Sequence, residues 1–230
     1  MTKQEEIKQL KLEKDAVLLA HYYVPAQVQE IADYVGDSFY LSKVASKLTN
    51  KVLVFCGVSF MGESGKLLNP DKAVLMPDAS ADCPMAHMVT KAEIDEVRAR
   101  YEDLAVVCYI NSTAEIKSWS DVCVTSANAV QIVKNLPNQN ILFIPDKNLG
   151  RYVAEQVKEK NVMLVKGYCP VHEEMRVQEI QELKQQHPLA EVLAHPECNA
   201  AVLSIADYIG STTGILKQAL TMLGVTEPPR

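Results

Sequence analysis

Two cysteines of this sequence are each followed by proline and recur at one phase of the chain. Cys83 lies in ADCPMAHM and Cys169 in GYCPVHEEM, 86 residues further on. Proline removes a backbone donor and fixes the local turn, so each thiol occupies a defined loop position. A lone cysteine is usually structural, but two at the same repeat phase indicate a shared metal site.

Polar side chains also recur in three segments, residues 16–38, 105–126 and 191–212. Each segment has an apolar run, a His or Tyr, a polar turn, a helical pattern, and an aspartate followed by small hydroxyl residues. Aligned without gaps on Asp33, Asp121 and Asp207, the segments share three sets of polar positions: His21, Tyr109 and His195; Tyr23, Asn111 and Glu197; Ser38, Ser126 and Thr212. Any α/β repeat places some polar residues where strands end, so one such residue is weak evidence of a site. The recurrence of all nine positions is the stronger indication of a shared site. Such groups can bind an anion and transfer protons.

The spacing of the cysteines favours an iron-sulfur cluster over structural zinc. The same period places a third cysteine beyond Arg230, the last residue of the sequence. Three thiolates suit a 4Fe-4S cluster with one open iron, whereas closed zinc sites use four ligands at short CxxC-type spacing. An open metal position can polarise carbonyl and hydroxyl groups. Cys56, Cys108 and Cys123 lie in apolar surroundings and are predicted to be core residues.

The elements that must position these residues are parallel strands. Near-continuous apolar runs at 51–60, 72–78, 140–150 and 162–168 alternate with helical stretches, which is typical of βαβ units with buried strands. The sequence predicts an α/β protein with a pseudo-threefold repeat of small three-layer α/β/α sandwiches, the third truncated. The predicted ranges are an N-terminal helix at 1–14, capped by Thr2 and Glu5, and repeats at 15–100, 101–187 and 188–230 (partial).

Ligands of parallel sheets bind beyond the carboxyl ends of the strands, where helix N-termini favour anions. The nine polar positions are predicted at that edge, and three related units could bring them around one cavity.

Composition excludes several classes of protein. The chain has 48% apolar residues and a net charge of -6, which does not favour nucleic acid or an anionic membrane as a partner. It has neither a long apolar run nor a signal-peptide pattern, so we expect a cytoplasmic location, where its six cysteines would stay reduced.

Several motifs together resemble one family, that of quinolinate synthase, over nearly the whole chain and in order. They are HYY with IADYVGDS, FCGVSFMGES with GKLLNP, PDASADCPMA, YINSTAEIK, VTSANA, GYCPVHE, and HPEC with ADYIGST. The resemblance implies condensation of iminoaspartate (iminosuccinate) with dihydroxyacetone phosphate to give quinolinate, phosphate and water in de novo NAD biosynthesis. It also implies three pseudo-symmetric α/β domains around a 4Fe-4S cluster, and an aspartate oxidase or dehydrogenase that supplies iminoaspartate.

The resemblance assigns roles residue by residue. Cys83 and Cys169 match cluster ligands, and the open iron would act as a Lewis acid. Tyr23, Glu197, His195 and Tyr109 match catalytic positions, with Tyr23 and Glu197 as the acid/base pair. The positions implied to bind or line the substrate are His21, Ser38, Tyr109, Ile110, Asn111, Ser126, His195, Pro196, Glu197, Ser211 and Thr212.

The sequence departs from the family pattern after its GST motif, because the last cluster cysteine is not reached. Either the chain is a truncated synthase or another ligand substitutes; Cys198 is nearest by sequence, but its repeat position belongs to the substrate edge. We expect part of the apolar face of residues 201–223 to be exposed.

Three other functions stay open. A truncated, non-catalytic dicarboxylate-binding remnant would keep the pocket without a cluster. A nucleotide-binding α/β protein is poorly supported, since neither glycine-rich phosphate motif occurs. A zinc hydrolase could use His172, Glu173 and His195, although His172 is more simply a polar loop residue beside Cys169.

Overall fold

The computed structural model describes residues 2–225, which divide into two compact units. The first comprises the chain up to Cys83 together with Ile110–Glu115. The second comprises Pro84–Tyr109 and the chain from Ile116 onward.

The first unit is built from alternating helices and strands, as the apolar runs predicted. Its strands are β1 (Ala16–His21), β2 (Tyr34–Gly36), β3 (Val52–Cys56) and β4 (Ala73–Leu75). Its helices are α1 (Lys3–Glu13), α2 (Ala26–Ile31), α3 (Ser38–Ala45) and α4 (Ser59–Leu68). All strand pairs are parallel in the order β2-β1-β3-β4, and the core includes Leu19, Leu41 and Phe55.

The elements that follow along the chain repeat this plan. The strands are β5 (Leu104–Tyr109), β6 (Val122–Val124), β7 (Asn140–Ile144), β8 (Asn161–Leu164), β9 (Leu193–Ala194) and β10 (Tyr208–Ile209). The helices are α5 (Lys91–Arg98), α6 (Ala114–Ser118), α7 (Ala129–Asn135), α8 (Lys147–Gln156), α9 (Pro170–Glu173), α10 (Val177–Gln186), α11 (Ala200–Leu203) and α12 (Thr212–Met222).

The second unit holds two parallel sheets. One has the order β6-β5-β7-β8, matching the sheet of the first unit strand for strand, and the other is the pair β10-β9. The four-stranded sheets confirm the predicted α/β class with parallel strands. The domain ranges and the threefold relation of the repeats stay predictions.

An aspartate at the start of each short strand fixes the repeat. Its backbone N–H donates to a carbonyl oxygen in the first strand segment of the repeat, and its Oδ2 accepts the N–H of that same residue. A basic side chain from the helix before this first strand forms an ion pair with the aspartate. The aspartates and backbone partners are Asp33 with Leu18, Asp121 with Val106, and Asp207 with Val192. The basic partners are Lys11 at 2.6 Å, Arg98 at 2.9 Å and Lys184 at 2.7 Å. The recurring aspartates of the sequence are therefore strand anchors.

Close helix–sheet contact is also repeated in the two units. A Cβ built on Gly62 of α4 would lie 2.5 Å from Met76 Sδ, and one built on Gly150 of α8 would lie 2.6 Å from Leu164 Cδ2. Glycine at both positions lets the helix lie close to Met76, directly after β4, and to Leu164, the last residue of β8.

The structure adds three short strands to the prediction and corrects the assignment of one cysteine. The strands β2, β6 and β10, which follow the anchor aspartates, were not predicted. Cys123 is exposed, so its assignment to the core is wrong; it lies on β6, an edge strand, whereas Cys108 on β5 is buried and Cys56 is half-buried. The capping box of Thr2 and Glu5 is confirmed, but no side chain of α1 is buried.

The C-terminal helix is only partly covered. No side chain of α12 is buried, and Met222 and Leu223 are 45% and 75% exposed. This agrees with the expected exposure of part of the apolar face. Within residues 2–225, no helix is both long and apolar enough to cross a bilayer.

We expect Asp121→Ala to lower the free energy of unfolding by about 1–3 kcal/mol, because the Val106 N–H loses its acceptor. Chemical denaturation measures this change. Asp95→Ala is the control: it removes an exposed pair with Lys91 and should change stability by less than about 1 kcal/mol. Equal effects of the two substitutions would show that Asp121 is an ordinary surface charge.

Candidate active site

The carboxyl ends of the strands in the second unit carry a cluster of polar residues. Tyr109 is the last residue of β5, and His195 to Glu197 directly follow β9. Asp146 caps the start of α8 just beyond β7, and Cys169 is the N-cap residue of α9. The parallel arrangement thus brings chemically active side chains to the sheet edge, as the sequence predicted.

Glu197 is the centre of this cluster. It is 3% exposed, and its Oε2 lies 3.0 Å from His172 Nδ1 and 3.5 Å from His195 Nδ1. The same His172 Nδ1 is 3.1 Å from Cys169 Sγ, and the two imidazole centroids are 5.1 Å apart. Tyr109, 5% exposed, is hydrogen-bonded to Glu197 and Ser126. Glu197 Oε1 has no hydrogen-bond partner among the described residues, so it is available to a ligand.

The charges in this cluster are set by burial and by neighbouring groups. Burial opposes ionisation of Glu197, but His172, His195 and Tyr109 outweigh it and lower its pKa. Burial likewise opposes the charged form of His172, yet hydrogen bonds to Cys169 and Glu197 raise its pKa to about 10. Burial and the charge of Glu197 raise the pKa of Tyr109 well above its usual value. At neutral pH the site therefore holds a carboxylate, an imidazolium and a neutral phenol.

A second set of residues holds the cluster in place. Asp146 is fully buried; its Oδ1 accepts the Leu149 N–H at 2.6 Å and its Oδ2 accepts the Cys169 N–H at 3.0 Å. Burial and the charge of Glu197 raise the pKa of Asp146 to about 7. Asn148 donates to Glu173 Oε2 at 2.8 Å and to the carbonyl oxygen of Glu197 at 3.1 Å.

Three of these residues could hold a metal ion. One ligand atom each from Cys169, His172 and Glu197 lies within 4.8 Å of the others, the one such group found among residues 2–225. Sulfur, imidazole and carboxylate ligands suit zinc or iron. The half-buried Cys169 thiol at a loop fixed by Asp146 also fits a thiolate ligand of an iron cluster.

His172, Glu173 and His195 do not form a metal-binding group among residues 2–225, and Glu173 has other partners. Its carboxylate lies 2.6 Å from Lys147 Nζ and also accepts from Asn148. Cys198 packs in an apolar cluster with Ala194 and Val202, and burial raises its pKa to about 11. Cys198 is therefore a core residue, which agrees with its dismissal as a substitute ligand.

The remaining predicted site residues of the second unit surround this centre. Pro196 is buried between His195 and Glu197, and Ser126 follows β6. Ser211 is the N-cap residue of α12, where its Oγ accepts the Gly214 N–H at 3.2 Å, and Thr212 is the first helical residue.

The first unit carries its own set of predicted residues. His21 ends β1, and Ser38 begins α3 after Asp37. The half-buried Ile110 and Asn111 belong to this unit as well. Tyr23 is 72% exposed, and its ring centroid lies 4.5 Å from that of His21. The Cys83 N–H donates to Asp82 Oδ1 at 2.8 Å, as the Cys169 N–H donates to Asp146.

The two strand-end histidines share one hydrogen-bonding arrangement. His21 Nδ1 accepts the Tyr23 N–H, and His195 Nδ1 accepts the Glu197 N–H, both at 3.3 Å. A neutral ring in this arrangement carries its proton on Nε2, and a charged ring carries one there as well, so Nε2 is a donor in both forms.

Sequence reasoning missed three residues of the site. His172 was taken for a polar loop residue, yet it contacts both Cys169 and Glu197. The Cys-x-x-His spacing of GYCPVHE, one helical turn, was the available signal. Asp146 and Asn148 were read only as part of a strand-to-helix run.

Comparison with known proteins identifies the family. The family described as "NadA: Quinolinate synthetase A protein" matches residues 5–224. Quinolinate synthase of Fusobacterium nucleatum is 59% identical over 216 residues, 94% of this chain and 72% of the relative. The Clostridioides difficile enzyme is 51% identical, over 93% of this chain and 70% of the relative. The Aquifex aeolicus enzyme is 48% identical, over 95% of this chain and 68% of the relative.

Fold and site together define a parallel α/β protein equipped for acid–base chemistry at its strand ends. The chain belongs to the quinolinate synthetase A protein family.

We expect the imidazole of His21 to titrate below its usual pKa. Burial lowers this pKa, and the charge of Asp37 partly offsets the effect. The neutral form is therefore favoured by folding, and the resulting stability is present above the ordinary pKa and is lost as the pH falls through the folded value. NMR titration of the ring measures this shift.

Asp37→Asn should lower the pKa of His21 further, because it removes the charge that favours the imidazolium. Glu30→Gln, an exposed change in the same unit, is the control and should leave the pKa unmoved. A rise after Asp37→Asn would contradict the assignment of these two effects.

Proposed function

We propose that this chain is a quinolinate synthase, which condenses iminoaspartate (iminosuccinate) with dihydroxyacetone phosphate and releases quinolinate, phosphate and two waters in de novo NAD biosynthesis. Relatives at 47–59% identity carry that name. The observation that carries the proposal is the buried carboxylate of Glu197, ionised between two imidazoles and a neutral phenol.

The reaction requires repeated proton transfers, and Glu197 is suited to them. Formation of the enamine from iminoaspartate removes a proton from carbon, and a carboxylate held in a dry site can accept it. Its unpaired Oε1 supports this role. Tyr109 keeps its proton, so it serves as a hydrogen-bond donor to the substrate and can return a proton during dehydration. His195, with its proton on Nε2, is a second donor.

Tyr23 is the weaker member of the predicted acid/base pair. Its phenol is largely exposed in the first unit, and its backbone N–H orients His21.

The two carboxylates of iminoaspartate and the phosphate of the second substrate need donors. The N-termini of α3 and α12 carry Ser38, Ser211 and Thr212, and such helix ends favour anions. The other residues assigned to substrate binding are His21, Tyr109, Ile110, Asn111, Ser126, His195, Pro196 and Glu197.

Cys83 and Cys169 would supply thiolates to a 4Fe-4S cluster, which when bound provides a Lewis-acidic iron for loss of the substrate hydroxyl. Both cysteines are half-buried, lie before proline, and have their N–H groups held by aspartates. These hydrogen bonds fix the two loops in a conformation in which each thiol is only half-buried. Iminoaspartate would come from an aspartate oxidase or dehydrogenase.

Anaerobic reconstitution with iron and sulfide tests the cofactor. We expect absorption at roughly 400 nm and bound iron and sulfide, lost in Cys83→Ala and in Cys169→Ala. Cys56→Ala, which removes another half-buried thiol, is the control and should keep the cluster. Colourless protein that still binds a dicarboxylate would instead favour the non-catalytic binding remnant.

Steady-state formation of quinolinate from the two substrates tests the role of Glu197. Glu197→Gln should lower kcat by about 10²–10⁴, since the proton acceptor is gone while the shape is kept. Glu174→Gln, an exposed change at the end of α9, is the control and should leave kcat unchanged. Full activity of Glu197→Gln would refute the acid–base assignment.

A further inference from the structure

Two cysteines outside the site face each other across neighbouring strands. Cys108 of β5 and Cys123 of β6 are direct partners in the parallel register. Neighbouring strands lie about 4.7–4.9 Å apart, and paired residues project to the same face. That separation falls within the range of about 4.4–6.8 Å between the Cα atoms of a disulfide. The backbone is therefore already placed for a bond between these two residues.

The two thiols differ in exposure and are in contact. Cys108 is fully buried in the core with Val106, Ile116 and Ile144, whereas Cys123 is exposed. The Cys108 Sγ donates to the carbonyl oxygen of Tyr109 at 3.4 Å, and the same side chain also interacts with the Cys123 thiol. An exposed thiol with a buried thiol beside it is the arrangement of an attacking cysteine and its resolving partner.

Cys123 also differs from the other cysteines in acidity. Interaction with Cys108 and the positive charge of Lys117 lower the pKa of Cys123 to about 7, although the part of this exposed side chain that contacts the strand is desolvated, which acts in the opposite direction. Burial raises the pKa of Cys56 and of Cys198. Because the thiolate is the reactive species, we expect Cys123 to react faster than Cys56 and Cys198 at neutral pH.

We propose that Cys123 and Cys108 form a reversible dithiol–disulfide pair, a modification site for low-molecular-weight disulfides such as oxidised glutathione. The Cys123 thiolate attacks one sulfur of glutathione disulfide, forms a mixed disulfide and releases one glutathione thiolate. Cys108 then loses its proton and attacks the Cys123 sulfur, which forms the protein disulfide and releases the second glutathione thiolate. The protein loses two electrons and two protons, and glutathione disulfide is reduced to two thiols.

This bond would join the two strands that lead into the candidate site. Tyr109 directly follows Cys108, and Ser126, which is hydrogen-bonded to Tyr109, lies three residues after Cys123. The proposal does not depend on the proposed function, since it rests on strand register and thiol contact alone.

Peptide mapping of the full chain tests the proposal. Reduced protein is treated with glutathione disulfide at pH 7, free thiols are alkylated, and trypsin is added. Cleavage after Lys117 separates Cys108, in residues 101–117, from Cys123, in residues 118–134. We expect these two peptides to be linked by a disulfide and to separate when a reductant is added.

Single substitutions resolve the order of the steps. Cys108→Ala keeps the core apolar and should stop the reaction at glutathione on Cys123. Cys123→Ser, an exposed change, should abolish the link, and Cys56→Ser should leave it intact. In the wild type, Cys123 should be modified at least about tenfold faster than Cys56. The proposal is overturned if no linked peptide forms, or if Cys123 reacts no faster than Cys56.

Discussion

The structure of the second unit depends on burying one carboxylate without leaving its charge uncompensated. A buried ionised group is costly unless it is paired and hydrogen-bonded. Glu197 meets this condition through His172 at 3.0 Å and through Tyr109. Because His172 is one helical turn after Cys169, the same contact fixes the short helix α9 and the thiol at its start. The acid–base groups and the candidate metal ligand are therefore parts of one arrangement.

The repeated sheets supply the rigidity that such an arrangement needs. Each anchor aspartate binds the backbone of the first strand of its repeat and a basic side chain from the helix before it, so strand ends are set with little freedom. The loops that carry Cys83 and Cys169 are likewise held by carboxylates that accept the cysteine N–H groups. Polar residues thus serve two purposes in this fold: some hold the strand ends, and others do chemistry there.

Much of the fold could be predicted from the sequence because its signals are local. The runs that became β1, β3, β5 and β7 are nearly continuous Val, Ile and Leu, and the repeat aligned without gaps. The three-residue strands β2 and β6 could not be predicted, since they form only where an anchor aspartate binds a distant strand. The exposure of Cys123 depends on strand order, which apolar composition does not reveal. The role of His172 was missed because it depends on Glu197, 25 residues away, and that of Asp146 because it depends on Cys169, 23 residues away.

A double-mutant cycle on His172 and Glu197 tests the central claim most directly. The free energy of unfolding of the cofactor-free chain would be measured for His172→Gln, Glu197→Gln and the double variant. Each single substitution should leave a buried charge or donor without its partner, so the double variant should lose at least about 1 kcal/mol less than the sum of the two. Effects that add to within about 0.5 kcal/mol would mean that the two side chains are independent, and that Glu197 does not organise the site.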